Sequence, residues 1–425
     1  MIALLAAAAA RTSTPTLAWR SWNAFKSDIN QSIIEAQIDA LVSSGLVAAG
    51  YVEIGIDEGW EGCGRGVNGS YHDKDGTPLV DLDRFPDMAA LVKKAGAKGV
   101  GVGIYMNGCE PCAKQERDLS FRTPVQDIAF TAAHGFTGLK VDGCGPNHPI
   151  AGYTAEIAKR GLNITVENCA DNAPAVWTAA TPADVTGAAC TFDLYRVSSD
   201  IAPQFYSTIW NLQHVVPFNR LADPLSRPGC FAYPDMSQVA RLASVAEDQA
   251  HFAAWSIVSS PQVLGFDLTD TAALARAMPI VANDKALRVN QEWAGDPGRL
   301  IRNSTTTFAA GVAHGAGGGP GCKVGAKPSW ECTQEELPTW QLWAKGLLGG
   351  ETAILVLNIA DAPLKAGSVS VATSEVGFGA DSGTSYDVWK MNEASFSGGA
   401  VAVPTLGAHE CFFAILSPSS ERSAA

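Results

Sequence analysis

From residue 16 to about 295 the chain repeats one cycle: a short run rich in β-formers, a loop, then a helical stretch with an apolar stripe. Ile34, Ile38, Leu41 and Val42 share one stripe, Gly45 stops it, and Val52, Ile54 and Ile56 then alternate as a strand ending at Asp57. Phe85-Pro86 opens a helix to about Lys98, and Val100, Val102 and Ile104 make a strand ending at Tyr105. A helix near 124–134 leads to a strand ending at Asp142, and 164–167 and 192–196 read as two more strands. Strands separated by helices predict a parallel sheet with helical crossovers, and eight such units close a barrel. The alternative is an open doubly wound sheet, but the Gly-x-Gly-x-x-Gly turn that usually follows its first strand is missing. Gly99, Gly101 and Gly103 instead alternate inside a strand, where glycine marks close packing.

The polar residues Asp57, Tyr105, Asp142, Glu167 and Arg196 all stand at the C-terminal ends of predicted strands. In a (β/α)8 barrel that rim carries the active site. After about residue 296 the texture changes. Residues 315–321 form a glycine-rich loop that Cys322 and Cys332 could staple, and short strand patterns follow at 340–343, 354–357, 369–371, 386–389 and 411–415 without a helical period. The fold class predicted is α/β: a (β/α)8 TIM barrel over 13–295, then a C-terminal antiparallel β-sandwich over 296–425 with a structural role.

Within 137–144, Thr-Gly-Leu-Lys-Val-Asp-Gly-Cys, the period of two puts Lys140 and Asp142 on one face. A neighbouring ammonium favours the ionised carboxylate, so Asp142 suits a nucleophile at neutral pH. A retaining glycosidase needs a second carboxyl group as acid and base. Asp200, in Tyr195-Arg196-Val197-Ser198-Ser199-Asp200, is the candidate, although by itself it also reads as a helix N-cap.

The chain of 425 residues carries a net charge of −13 and no run of Lys or Arg, so the electrostatic footprint for nucleic acid or an anionic membrane is missing. A neutral small molecule fits better as the partner. Residues 1–12 open with Met1-Ile-Ala-Leu-Leu and a run of alanines, apolar like the latter part of a secretion signal and too short to span a bilayer; a frayed terminus is the alternative. Ten cysteines and four Asn-x-Ser/Thr sequons, at Asn30, Asn68, Asn163 and Asn303, also suit the secretory pathway, with a secreted, lysosomal or vacuolar destination. Only Cys109 and Cys112 form a Cys-x-x-Cys pair, so no metal site and no cofactor is expected, and disulfides are the better reading.

Six motifs resemble, in order, those of glycoside hydrolase family 27, the α-galactosidase and α-N-acetylgalactosaminidase family, and the likeness runs across both domains. Trp19-Arg20-Ser21-Trp22-Asn23-Ala24-Phe25 is similar to Gly-Trp-Asn-Ser-Trp-Asn-x-Phe, and Ile56-Asp57-Glu58-Gly59-Trp60 to Leu-Asp-Asp-x-Trp. Gly103-Ile104-Tyr105 matches Gly-Ile-Tyr, and Leu139-Lys140-Val141-Asp142-Gly143-Cys144 resembles Leu-Lys-Tyr/Phe-Asp-x-Cys. Arg196 to Ile201 matches Arg-x-x-x-Asp-Ile, and Tyr233-Pro234-Asp235-Met236 matches the end of Trp-Asn-Asp-Pro-Asp-Met.

The resemblance implies a retaining exo-α-galactosidase with Asp142 as nucleophile and Asp200 as acid/base. It further implies Asp57, Glu58, Glu167, Arg196 and Asp235 as contacts to sugar hydroxyls, Tyr105 and Lys140 as neighbours of the nucleophile, and Trp22 as a pocket wall. It also implies a homodimer and disulfides between Cys112 and Cys144, between Cys169 and Cys190, and between Cys63 and Cys109, leaving Cys230 and Cys411 as free thiols. Three departures bear on the sugar: Glu58 replaces an Asp, Gly59 replaces a cysteine, and Val166-Glu167-Asn168-Cys169 replaces Cys-Glu-Trp. A carboxylate at 167 opposes an N-acetylgalactosaminide. A β-L-arabinopyranoside remains an alternative substrate, and a catalytically silent carbohydrate-binding glycoprotein is the alternative of a different class.

Overall fold

The computed structural model describes residues 12–107, 112, 124–142, 150–169, 185, 190–315 and 321–419. Eight strands, β1 (Leu17–Arg20), β2 (Glu53–Ile56), β3 (Gly101–Asn107), β4 (Gly138–Asp142), β5 (Thr165–Cys169), β6 (Leu194–Arg196), β7 (Phe231–Tyr233) and β8 (Gln262–Leu264), form one sheet in the order β7-β6-β5-β4-β3-β2-β1-β8. Successive strands from β1 to β7 pair in parallel. Ala18, Leu194, Tyr233, Met236 and Val263 meet in one buried cluster, which brings β1, β6, β7 and β8 together, as closure of a barrel requires. The fold is a TIM barrel followed by an antiparallel sandwich.

Nine helices occur among the described residues: α1 (Trp22–Phe25), α2 (Gln31–Ser43), α3 (Met88–Gly96), α4 (Pro124–His134), α5 (Ile150–Arg160), α6 (Phe205–Gln213), α7 (Val245–Ile257), α8 (Thr271–Val281) and α9 (Asp284–Gln291). Their ends obey local chemistry. The side chain of Asn30 accepts from Ile33 N at the start of α2, and Asp87 accepts from Ala90 N at the start of α3, so orphan donors are satisfied. Ile34, Gln37, Ile38 and Leu41 are the buried stripe of α2, and Gly45 with φ +88° ends its connection.

The chain divides into two compact units. The first comprises residues 1–199, 228–236 and 263–271, and holds β1 to β7, most of β8, and α1 to α5. The second comprises 200–227, 237–262 and 272–425. In it, β9 (Arg299–Asn303), β12 (Trp340–Gly346), β13 (Thr352–Asn358), β15 (Gly383–Asp387), β16 (Asn392–Phe396) and β18 (Cys411–Pro418) make a six-stranded sheet in the order β16-β15-β18-β13-β12-β9. Two-stranded sheets form from β10 (Thr307–Ala313) with β11 (Cys332–Pro338), and from β14 (Ser370–Ala372) with β17 (Ala400–Ala402). Leu342, Ile354, Val356, Phe412 and Leu416 of the large sheet pack on Val371 and Val401 of the small one, a two-layer apolar core. Helices α6 and α7, which follow barrel strands in the chain, contact β10 and β13 of this unit.

The disulfides correct three expected pairings. Cys63 bonds Cys112, so neither Cys112–Cys144 nor Cys63–Cys109 forms; Cys109 and Cys144 lie outside the described residues. Cys190 bonds Cys230, while Cys169 and Cys411 are free thiols. The reason is strand direction. Asn168 stands opposite Tyr195, which puts Cys169 level with Arg196 at the C-terminal ends, whereas Cys190 precedes β6 by four residues. That offset of six residues spans roughly 20 Å when extended, far beyond the ~7 Å limit between bridged Cα atoms. Cys322 bonds Cys332. Residues 1–11, where the sequence reading expects most of a secretion signal, also lie outside the described residues.

Candidate active site

Register turns the period of two into rungs that climb the barrel interior. Gly103, Gly138 and Thr165 are level on β3, β4 and β5; Tyr105, Lys140 and Glu167 make the next rung, and Asn107, Asp142 and Cys169 the one above. Arg20 pairs with Gly55, two residues before Asp57, and Arg196 pairs with Tyr233, two residues before Asp235. The charged side chains of the rim therefore share the face that a barrel turns inward.

Their contacts form one network in the first unit. Lys140 Nζ donates to Asp57 Oδ2 at 2.9 Å and lies 5.2 Å from the centre of the Tyr105 ring. Arg20 Nη2 donates to Glu167 Oε2 at 2.6 Å, and its Nη1 stands 3.7 Å from Asp57 Oδ2. The Asp57 backbone N donates to Ser21 Oγ, and Asp57 Oδ1 accepts from Glu58 N, which fixes the turn after β2. Burial pushes the Asp57 carboxyl up, but Lys140 and Arg20 outweigh it and hold Asp57 below the usual carboxylate range. Burial likewise opposes the charge on Lys140, yet Asp57 and then Cys169 and Asp142 raise its pKa above the ordinary value. The pair stays ionised because each partner compensates the other's desolvation.

Glu58 behaves in the opposite way. Burial, with Asp57 and Asp142 nearby, pushes its carboxyl above the usual range, against smaller contributions from Lys140 and a hydrogen bond from Tyr105. On the next strands Arg196 Nη2 meets Asp235 Oδ2 at 3.1 Å and donates to the Ser198 carbonyl at 3.1 Å, and Nη1 donates to Cys169 Sγ at 3.6 Å. Asp235 is 5% exposed with φ +99°, a conformation non-glycine residues rarely hold unless the surroundings enforce it. Trp22, on α1, is half-buried and packs on the cluster of Ala18, Leu194, Tyr233, Met236 and Val263, with Lys26 Nζ 5.5 Å from its ring centre.

The structure thus brings Asp57, Glu58, Tyr105, Lys140, Asp142 and Glu167 together, and pairs Arg196 with Asp235. Trp22 stands on the helix directly after β1. Asp200 belongs to the second unit, where it is half-buried and its carbonyl accepts from Gly315 N at 2.8 Å. Among the described residues no three His, Cys, Asp or Glu side chains are placed to hold a metal ion, and no helix is long and apolar enough to cross a membrane.

Two members of the network escaped sequence reasoning. Arg20 enters the sequence reading only as part of a motif, and Glu53 does not enter it. Glu53 shares the face of Gly55 and Asp57, and a Cβ added to Gly138 would lie 2.8 Å from its Oε1, so glycine there makes room for the carboxylate. The signal was available: the apolar alternation of β2 leaves Glu53, Gly55 and Asp57 as the complementary face.

Known proteins match the chain over both the barrel and the sandwich. A family model described as alpha galactosidase A matches residues 14–292, and one described as the alpha galactosidase C-terminal beta sandwich domain matches 338–416. An alpha-galactosidase A of Cellvibrio japonicus is 31% identical over 303 residues, covering 66% of this chain and 68% of that protein. The structure of an alpha-galactosidase from Saccharomyces cerevisiae with raffinose superposes with a TM-score of 0.73 at 17% identity, covering 96% of this chain and 98% of the other. That of a β-L-arabinopyranosidase from Geobacillus stearothermophilus gives 0.71 at 15% identity, over 96% and 98%.

Proposed function

The chain belongs to the alpha-galactosidase A family, and from that membership we propose that it is a retaining exo-acting glycoside hydrolase removing terminal α-D-galactosyl residues. Asp142 is the nucleophile: it stands one rung above Lys140, at the C-terminal end of β4. Asp200 is the acid/base, protonating the leaving oxygen and then activating water. Asp57, Glu58, Glu167, Arg196 and Asp235 bind hydroxyls, Tyr105 and Lys140 flank the nucleophile, and Trp22 gives an aromatic wall. The rung of Tyr105, Lys140 and Glu167 beneath Asp142, with Asp57 locked ionised beside it, is the observation that carries this reading.

Glu58, one methylene longer than the aspartate of the family pattern and bonded to Tyr105, favours a second reading: the same chemistry on a pyranose that lacks C6, a β-L-arabinopyranoside. The buried Glu167–Arg20 pair opposes an acetamido group at the 2-position. A panel of aryl glycosides, with the product anomer followed by NMR, tests all of this. Retention on the α-galactoside, lost in Asp142→Asn, is expected; undiminished turnover by that variant overturns the assignment, and sugar binding without turnover on any glycoside favours a silent binding protein.

Domain limits of 13–295 and 296–425, a homodimer, and passage through the secretory pathway belong to the same proposal. Three disulfides among the described residues suit an oxidising compartment. The sequon asparagines Asn68 and Asn163 are exposed, as glycan attachment needs.

A further inference from the structure

The residue that protonates the leaving oxygen stands beside the leaving group, so the surroundings of the acid are the surroundings of the aglycone. This inference rests on the assignment of Asp200 as that acid. In the second unit the Asp200 carbonyl accepts from Gly315 N at 2.8 Å, and Ile201 bridges antiparallel to His314. The chain at 200–201 is therefore stitched to the end of the β10–β11 hairpin.

On that hairpin the largest exposed aromatic surface is Trp330, 68% exposed. Its Cζ3 lies 3.9 Å from the point a Cβ on Gly315 would occupy, so the indole extends across the residue whose N–H holds Asp200. Single exposed apolar side chains are ordinary. The backbone on either side of Trp330 is tied down: Ser329 N donates to Cys332 O at 2.8 Å, Glu331 N to Ser329 Oγ at 3.2 Å, and His314 N to the Glu331 carbonyl at 2.9 Å. The Cys322–Cys332 disulfide closes the loop behind it. An aromatic with only two side-chain torsions on an already ordered backbone loses little entropy on binding.

We propose that Trp330 is the stacking platform of an aglycone subsite, taking the C–H face of a neutral pyranose that leaves from the bond Asp200 protonates. Stacking contributes only while a ring is attached to the leaving oxygen, so it affects selectivity among leaving groups.

The test compares Trp330→Ala, Trp330→Phe and wild type on three glycosides of the sugar chosen by the aryl panel, differing only in leaving group: methanol, 4-nitrophenol and a second hexose. For the alanine variant the ratio of kcat/KM on the hexose-linked substrate to that on the methyl glycoside falls about tenfold, which corresponds to about 1.4 kcal/mol, and phenylalanine restores most of it. An equal loss on all three substrates, which a packing role would give, overturns the proposal. So does an unchanged ratio, or a loss confined to the aryl substrate, which would assign the platform to aromatic aglycones. Wild-type enzyme inactive on all three would instead overturn the glycosidase reading and this subsite with it, a failure recognisable without any variant.

Discussion

Glu53→Gln tests the barrel-interior network most directly. Burial pushes the Glu53 carboxyl from 4.5 up to about 7, with Arg20 partly opposing and Glu167 and Asp193 adding to the rise. The folded protein then holds this proton until about pH 7, whereas the unfolded chain releases it near 4.5. Between those values the folded state binds more protons, so stability falls as pH rises. The penalty is absent below about 4.5 and complete above about 7; at 1.36 kcal/mol per unit it reaches about 3 kcal/mol. Glutamine has nearly the same shape, fits the space left by Gly138, and carries no proton to lose. Thermal unfolding of both proteins at pH 5, 6, 7 and 8 reads the difference. The variant gains on wild type across that range, by about 6–12 °C at the top if each kcal/mol moves Tm by about 2–4 °C. Parallel curves would refute the reasoning, since they would mean that Glu53 is solvated or paired well enough to ionise normally.

Two further outcomes follow from the same structure. Asp142 is among the anions that raise the Glu58 carboxyl, so Asp142→Asn is expected to lower it, read by NMR titration of that carboxyl, and an unchanged or higher value contradicts the like-charge account. Replacing Cys190 and Cys230 together by alanine opens a 40-residue loop and is expected to cost about 4 kcal/mol, read as a lower urea midpoint than wild type without reductant, a gap that closes when both proteins are measured in reductant.

Much of the barrel was legible because periodicity is a local signal. Lys140 and Asp142 could be placed on one face from five residues of sequence, and α4 occupies the stretch 124–134 that its pattern suggested. The rim residues followed from where each strand stops. What escaped was cross-strand register. Nothing near Arg20 announces that Glu167, 147 residues later, will accept its guanidinium, and nothing near Glu53 announces that Gly138 will leave it space. The cysteines failed for the same reason: Cys190 and Cys230 meet only because β6 and β7 are neighbours, with Leu194 level with Phe231. Strands β7, β8, β9, β10, β11, β16 and β17 went unread because their partners, and not their own patterns, make them strands. The left-handed backbone of Asp235 has no sequence signal beyond its place before Met236.

The interior charges also explain why the network is arranged as it is. On the first five strands and their ends Glu53, Asp57, Glu58, Asp142 and Glu167 share the barrel with two cations, Arg20 and Lys140. Two cations stand against five carboxylates, of which Asp57 and Glu167 are buried, so position decides which of them stay charged. Asp57, between Lys140 and Arg20, is held below the normal range, while Glu53 beneath it and Glu58 beside it are pushed above. Burial works against the charge on Arg20 as well, but Glu167 and Asp57 overcome it, so the guanidinium remains a fixed counter-charge. A hydroxyl-binding pocket needs this sorting, since an ionised carboxylate accepts hydrogen bonds and a protonated one also donates. Removing Arg20 would take from Glu167 its guanidinium donor and from Asp57 one of its two cations, leaving Lys140 alone to offset the burial of Asp57.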